Sequence, residues 1–343
     1  MLTAELFRRV MVASAILLGG GLVHGQTVAS PLASVAAGAS EESAERQLQA
    51  TATENFDARA LDQIWLVSSR RLGSRNASLD SLDIRRRVGG SCWQASSVVD
   101  FMAPDADGFQ RPVVIFIHGN RWSLDKAIRR GLQTYNQTIL QWPDAPPVRF
   151  VIWAWPADRI VGPIRDVRVK AQRADEHSFH LARFLQKMDP AIPVSIIGFS
   201  FGGRVALGAL QLVGGGAIDG CGVPTAPHRV PPVNLALAVP AIRNDCLVTT
   251  HRCAYDQIKH LDLLYNNRDT YLSFYRFTRF DNRRPALGYT GVSGLHCLPD
   301  HDARVHQLNA ARFVGMQHDY LEYITDHAVE AHLREHLLIG LTQ

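Results

Sequence analysis

Three short, almost uninterrupted apolar runs constrain this chain more than any other feature. VVIFI (Val113–Ile117) is bounded by Pro112 and Gly119, FVIWAW spans Phe150–Trp155, and VSIIG spans Val194–Gly198. A strand with one wet face alternates polar and apolar residues, so runs without that alternation must be covered on both faces. Between the runs the period changes. Leu124, Ile128, Leu132, Tyr135 and Ile139 recur at helical spacing, and Ala171, Ala174, Leu181 and Phe184 mark a second helix within residues 167–188. Further strands are expected at Ile64–Ser69, Ser96–Met102, Val233–Val239, His260–Tyr265 and Arg304–Leu308, with helices at Arg204–Val213 and Val329–Leu341. Strand and helix alternating at this period predict an α/β fold: a three-layer, doubly wound, mostly parallel sheet. The 343 residues, 46% hydrophobic and 20% charged, are enough to build it as one domain over 56–343.

The first 55 residues lie outside this pattern. Arg8 and Arg9 precede the apolar run VMVASAILLGGGLV, which is short for a membrane span, and Val-His-Gly (Val23–Gly25) then leads to a cleavage point after Gly25. This predicts a signal peptide over 1–25 and a secreted or periplasmic protein with no stable membrane span after cleavage. Residues 26–55, rich in Ala, Ser, Thr and Glu, read as a flexible lead-in. The five cysteines then fall in an oxidising compartment, where one or two disulfides are expected, Cys246 and Cys253 being close enough in sequence to close a small loop. A formal net charge of +4, dispersed along the chain, gives no case for a nucleic-acid partner, and the cluster Arg85–Arg87 reads as a solvated face.

The run VSIIG passes directly into GFSFGG (Gly198–Gly203) and then into an apolar helix pattern. In Gly-x-Ser-x-Gly between strand and helix, the serine sits on a sharp turn at the carboxyl edge of the sheet. Gly198 and Gly202 remove side chains that would clash there, and the helix presents free N–H groups to a developing oxyanion. Ser200 is therefore the candidate nucleophile; an inert serine in a glycine-rich turn is the alternative. The backbone N–H of Phe201 is one candidate oxyanion donor. FIHGNRW (Phe116–Trp122), at the end of a buried strand, offers the other near Asn120, with His118 positioning the loop rather than acting as a base.

The strand-end His-Gly-Asn, the WAWP segment and Gly-Phe-Ser-Phe-Gly resemble the alpha/beta-hydrolase superfamily, and more narrowly a bacterial branch of unknown function, over about Ile64 to Leu341. The resemblance implies a Ser–acid–His triad in that chain order. Asp269, four residues past Tyr265 and just beyond a strand, is placed as the acid, with Asp245 as competitor and Asp262 too deep in its strand. His318, after the last strand, is placed as the base, with His327 as the alternative. HLREH (His332–His336) matches a zinc-protease pattern, but Val329, Leu333 and Leu337 explain it as one face of an amphipathic helix, so neither metal nor cofactor is expected. About twenty residues between Val239 and His260 leave no room for a large cap. Leu212–Pro232 and Asp245–Tyr255 are expected to rim the pocket, and Trp122, Trp153, Trp155 and Phe201 to line it or fill the core. The expected activity is ester hydrolysis on a small-molecule acyl substrate through an acyl-enzyme on Ser200. A non-catalytic binding protein on the same fold and an acyltransferase are the alternatives.

Overall fold

The computed structural model describes residues 59–331 apart from 91, 107, 109, 143–144, 225–229 and 279–280. The expected signal segment (1–25), the lead-in (26–55) and most of the last expected helix, with His332 and His336, lie outside the described residues. Among the described residues nine strands form one sheet in the order β3-β2-β1-β5-β4-β6-β7-β8-β9. They are β1 (Gln63–Ser68), β2 (Asp83–Val88), β3 (Cys92–Ser96), β4 (Val113–Ile117), β5 (Arg149–Ala154), β6 (Val194–Phe199), β7 (Val233–Ala238), β8 (Ile258–Tyr265) and β9 (Val305–Asn309). From β1 to β9 the neighbours run parallel, except that β2 and β3 extend one edge antiparallel. Every residue of β4, β5, β6 and β7 is buried, as their continuous apolar runs require.

Four α-helices lie between β3 and β7: α1 (Val98–Met102), α2 (Leu124–Tyr135), α3 (Pro163–Gln186) and α4 (Phe201–Val213). The chain steps one way from β4 through α2 to β5, then back across β4 through α3 to β6 and on through α4 to β7. Right-handed crossovers in opposite directions put α2 on one face of the sheet and α3 with α4 on the other. Two glycines let these layers close. A Cβ at Gly131 of α2 would lie 2.6 Å from Ile152 of β5, and one at Gly208 of α4 would lie 2.3 Å from the Ser178 hydroxyl of α3.

Several expectations change. Ser96–Met102 is not a strand: β3 ends at Ser96 and α1 begins at Val98. The Ser97 hydroxyl accepts from the Asp100 N–H (3.1 Å) and the Asp100 carboxylate from the Ser97 N–H (2.9 Å). That reciprocal cap outweighs the strand preference of two valines. The cluster Arg85–Arg87 lies on β2, where only Ile84 is buried and the apolar signature of a strand is absent. All five cysteines are free thiols; Cys246 is enclosed in the core while Cys253 is half-buried on the next helix, so nearness in sequence does not join them. The thirteen residues of α4 carry the chain about 20 Å from Ser200 to the amino edge of the sheet, so Leu212–Pro232 starts at the wrong edge to rim a pocket there. Much of Asp245–Tyr255 is buried, as are Trp122, Trp153, Trp155 and Phe201. No helix among the described residues is long and apolar enough to cross a membrane.

Among the described residues four histidines are buried: His118, His177, His180 and His251. Burial penalises the imidazolium and lowers their pKa values to about 4, 3, 4 and 4 respectively. An unfolded imidazole titrates near 6.5. Between about pH 6.5 and pH 4 the unfolded chain therefore binds more protons than the folded one, and stability falls as pH falls through that window. Urea unfolding midpoints should drop between about pH 7 and pH 5, and the double variant His177→Gln/His180→Gln should show a shallower drop. An equal slope in the two proteins would refute this.

Candidate functional site

The sheet reverses its winding at β4 and β6, and the crevice outside their carboxyl ends is where open α/β sheets place their sites. Ser200 stands there, between the end of β6 and the start of α4, with φ 52° and ψ −117°. A side chain adopts that backbone only when its surroundings over-determine it. They do: the Ser200 N–H donates to the Ala238 carbonyl (2.9 Å), and the Ser200 carbonyl accepts from Ala241 (3.0 Å) and Gly203 (3.1 Å). The glycines leave no alternative. A Cβ at position 202 would sit 2.1 Å from the Ile117 carbonyl oxygen and 2.8 Å from that of His118; one at 198 would sit 2.8 Å from the Gly203 Cα. The first turn of α4 thus lies directly on the end of β4.

His318 follows the short helix Ala311–Val314 and reaches back to this turn. Its Nε2 is 3.0 Å from Ser200 Oγ and its Nδ1 is 2.5 Å from Asp269 Oδ2. The ring rests against Phe199 and Tyr271, with centroids 5.3 and 5.5 Å away. Asp269 is fully buried just past β8, and its other oxygen accepts the N–H groups of Tyr271 and Leu272, both at 2.9 Å. One carboxylate oxygen is therefore fixed by the backbone and the other left for the imidazole. A carboxylate at Nδ1 holds the proton on that nitrogen and turns the Nε2 lone pair towards the hydroxyl. Such an arrangement can accept a proton from Ser200 and hand it on.

The other candidates lie elsewhere. Asp245 is held by Arg243 and Arg284, and the Arg243 hydrogen bonds keep its carboxyl below the usual range. Asp262 lies within β8 in register with His306 of β9. His327 is exposed, and His301 pairs with the Leu298 carbonyl. His118 is fully buried between strand ends: Nδ1 donates to the Gly119 carbonyl (2.8 Å), Nε2 accepts from the Trp155 N–H (3.3 Å), and the ring stacks on Trp122 and Trp155. It braces the loop after β4. In that loop, Gly119 abuts the Phe199 ring, which would lie 2.6 Å from a Cβ, so the Asn120 turn adjoins the serine turn. Phe201 occupies the first position of α4, where the N–H has no acceptor within the helix.

Asn266 carries no signal that marks it in the sequence beyond a polar residue at a strand end. It is fully buried, and its Nδ2 donates to the Gly315 carbonyl (3.0 Å) and the Tyr323 hydroxyl (2.9 Å), while its Oδ1 accepts the Arg268 N–H (2.9 Å). It ties the turn that carries Asp269 to the loop that carries His318. Among the described residues no group of three or more His, Cys, Asp or Glu side chains is placed to hold a metal ion.

The mostly parallel sheet with helices on both faces is the alpha/beta-hydrolase fold. The chain belongs to a family described as "Alpha/beta hydrolase of unknown function (DUF900)", whose model matches residues 97–287. Similar solved structures include esterase B from Lactobacillus rhamnosis in two inhibited forms. The C4-C4 SN3 tributyrin phosphonate form is 15% identical, with 88% of this chain and 96% of that chain covered at a TM-score of 0.37; for the C6-C4 SN3 form the values are 12%, 86%, 94% and 0.37. No curated protein matches the chain.

The Gly202 contact yields a prediction. Gly202→Ala should destabilise the fold by about 3 kcal/mol, because the Ile117 carbonyl cannot withdraw without disturbing β4. Gly73→Ala, where a Cβ meets nothing within 4 Å, should stay within about 0.5 kcal/mol of wild type in the same urea titration.

Proposed function

We propose that this protein is an exported serine hydrolase that cleaves carboxylic esters through an acyl-enzyme. The observation that carries the proposal is the continuous chain of contacts from buried Asp269 through His318 to Ser200, with the serine on a strained strand-to-helix turn. In this mechanism Ser200 Oγ forms a bond to the acyl carbon while His318 Nε2 takes its proton. The carbonyl oxygen becomes an oxyanion, held by the backbone N–H groups of Phe201 and Asn120. Collapse breaks the bond to the alcohol, which leaves with the proton from His318. Water then attacks the acyl carbon with His318 again as base, and Ser200 is released with the carboxylic acid. Asp269 holds the imidazole in the required tautomer and stabilises its charged form.

An ester is the substrate class because alcohols leave more readily than amines and ask least of the pocket. Nucleophilic serine chemistry is expected to show as covalent labelling of the purified mature protein by a fluorophosphonate. Ser200→Ala and His318→Ala should abolish labelling. Asp269→Asn, which keeps the shape but reverses the tautomer preference, should lower kcat on a p-nitrophenyl ester by about 10³- to 10⁴-fold. A folded wild type that neither labels nor hydrolyses any ester would sink the proposal and leave a binding protein on a hydrolase fold. Product analysis with an added alcohol acceptor separates hydrolysis from acyl transfer.

A further inference from the structure

Asp166 and Lys170 lie one turn apart at the start of α3, both with fully buried side chains. Burying such a pair is costly unless every lone pair and proton finds a partner. Here the two carboxylate oxygens divide their partners between two loops. Oδ1 accepts Lys170 Nζ (3.0 Å) and the Ile160 N–H (3.1 Å), fastening the segment that links β5 to α3. Oδ2 accepts Arg121 Nε (2.7 Å) and Asn120 Nδ2 (3.2 Å), both from the turn after β4. Lys170 Nζ also donates to the Asp158 carbonyl, so the ammonium is fixed from two sides.

The turn that Oδ2 holds does not sit at rest. Arg121 has φ 60°, a left-handed backbone unusual for arginine. The Asn120 Oδ1 accepts the Arg121 N–H at 2.8 Å, which consumes that amide locally. The Asn120 side chain is thus gripped at both ends, by the next amide and by Asp166. Both α3 residues belong to a helix that carries none of Ser200, Asp269 or His318.

We propose that Asp166 is a positioning residue for the oxyanion turn: from its buried position near the start of α3 it clamps the Asn120 and Arg121 side chains, with Lys170 as its counter-ion, and so aims the Asn120 N–H at the acyl oxygen. This rests on the hydrolase function proposed above. Asp166 touches no reacting atom. It acts through the strained turn, and its contribution is felt only when negative charge builds on the acyl oxygen.

The experiment compares Asp166→Asn with wild type on a neutral p-nitrophenyl ester, with a trifluoromethyl ketone as the oxyanion-forming inhibitor. Losing one aimed oxyanion donor costs about 10²- to 10³-fold in kcat, and misaiming it is expected to cost about 10- to 100-fold. KM should stay within about twofold, inhibitor affinity should fall in proportion to kcat/KM, and the pH profile of kcat/KM should keep its midpoint, because His318 and Asp269 are untouched. Asp166→Asn strands a buried ammonium, so the double variant Asp166→Asn/Lys170→Met is run beside it. Should neither fold, Asn120→Ala and Arg121→Met, which cut the same tether at half-buried residues, decide in the same terms. A folded variant with kcat within about threefold of wild type overturns the inference, as does one whose loss lies in KM or in a shifted pH profile. If wild type itself neither labels with fluorophosphonate nor turns over, the hydrolase proposal falls first, and this inference with it.

Discussion

The candidate site depends on the contact between the first turn of α4 and the end of β4. At Gly202 the space that a methyl group would need is already filled by the Ile117 and His118 carbonyl oxygens. Because helix and strand meet without side chains between them, the amino end of α4 opens into the crevice at the carboxyl edge, with its unpaired N–H groups and positive partial charge. The same closeness leaves the chain no room to enter the helix gradually. Ser200 must make the whole turn, and its positive φ is held by its N–H bond to the Ala238 carbonyl of β7 and by the Gly203 and Ala241 N–H groups that donate to its carbonyl. The strain is thus a consequence of packing, and the ladder of the sheet offsets it.

Around that turn, each buried polar group connects two segments that the sequence keeps far apart. Asp269 joins its own short helix to His318, Asn266 joins the end of β8 to the His318 loop, and Asp166 joins the loop after β5 to the turn after β4. Arg204 does the same behind the serine. It projects from α4 to Asp175 on α3 and to Asp281 and Tyr275 beyond β8, with every contact between 2.7 and 3.2 Å. Unpaired, any of these groups would carry a large desolvation cost, so each pairing specifies one arrangement of its loops rather than several. In the loop after β4 these polar contacts add to aromatic packing, since Trp122 is buried against Phe116, Phe199 and Tyr320.

The central strands and the three long helices are legible from residue pattern alone, since a strand buried on both faces and a helix buried on one leave different periods in the sequence. Where the pattern is weak, local chemistry or the edge of the sheet takes over. Val98 and Val99 read as a strand until the Ser97–Asp100 cap turns them into a helix, and β2 with its arginines has only Ile84 to announce it. Of the two loops expected at the pocket, Leu212–Pro232 fails for a geometric reason, since residues after a helix that begins at the carboxyl edge emerge at the opposite edge, while much of Asp245–Tyr255 is buried.

The residue order thus determines the α/β class, the strand-to-helix turn at Ser200 and the need for glycine on either side of it, because these depend on neighbours a few positions apart. For the proposed acid it offers Asp269 or Asp245, and for the proposed base it singles out His318 or His327 among fourteen histidines. Only the folded sheet brings His318 to Ser200 across 118 positions and to Asp269 across 49, and only it reveals Asn266 and Asp166. Those meetings depend on the order in which strands pack and on which buried polar atoms find partners. Both are properties of the whole assembly, and neither leaves a periodic trace along the chain.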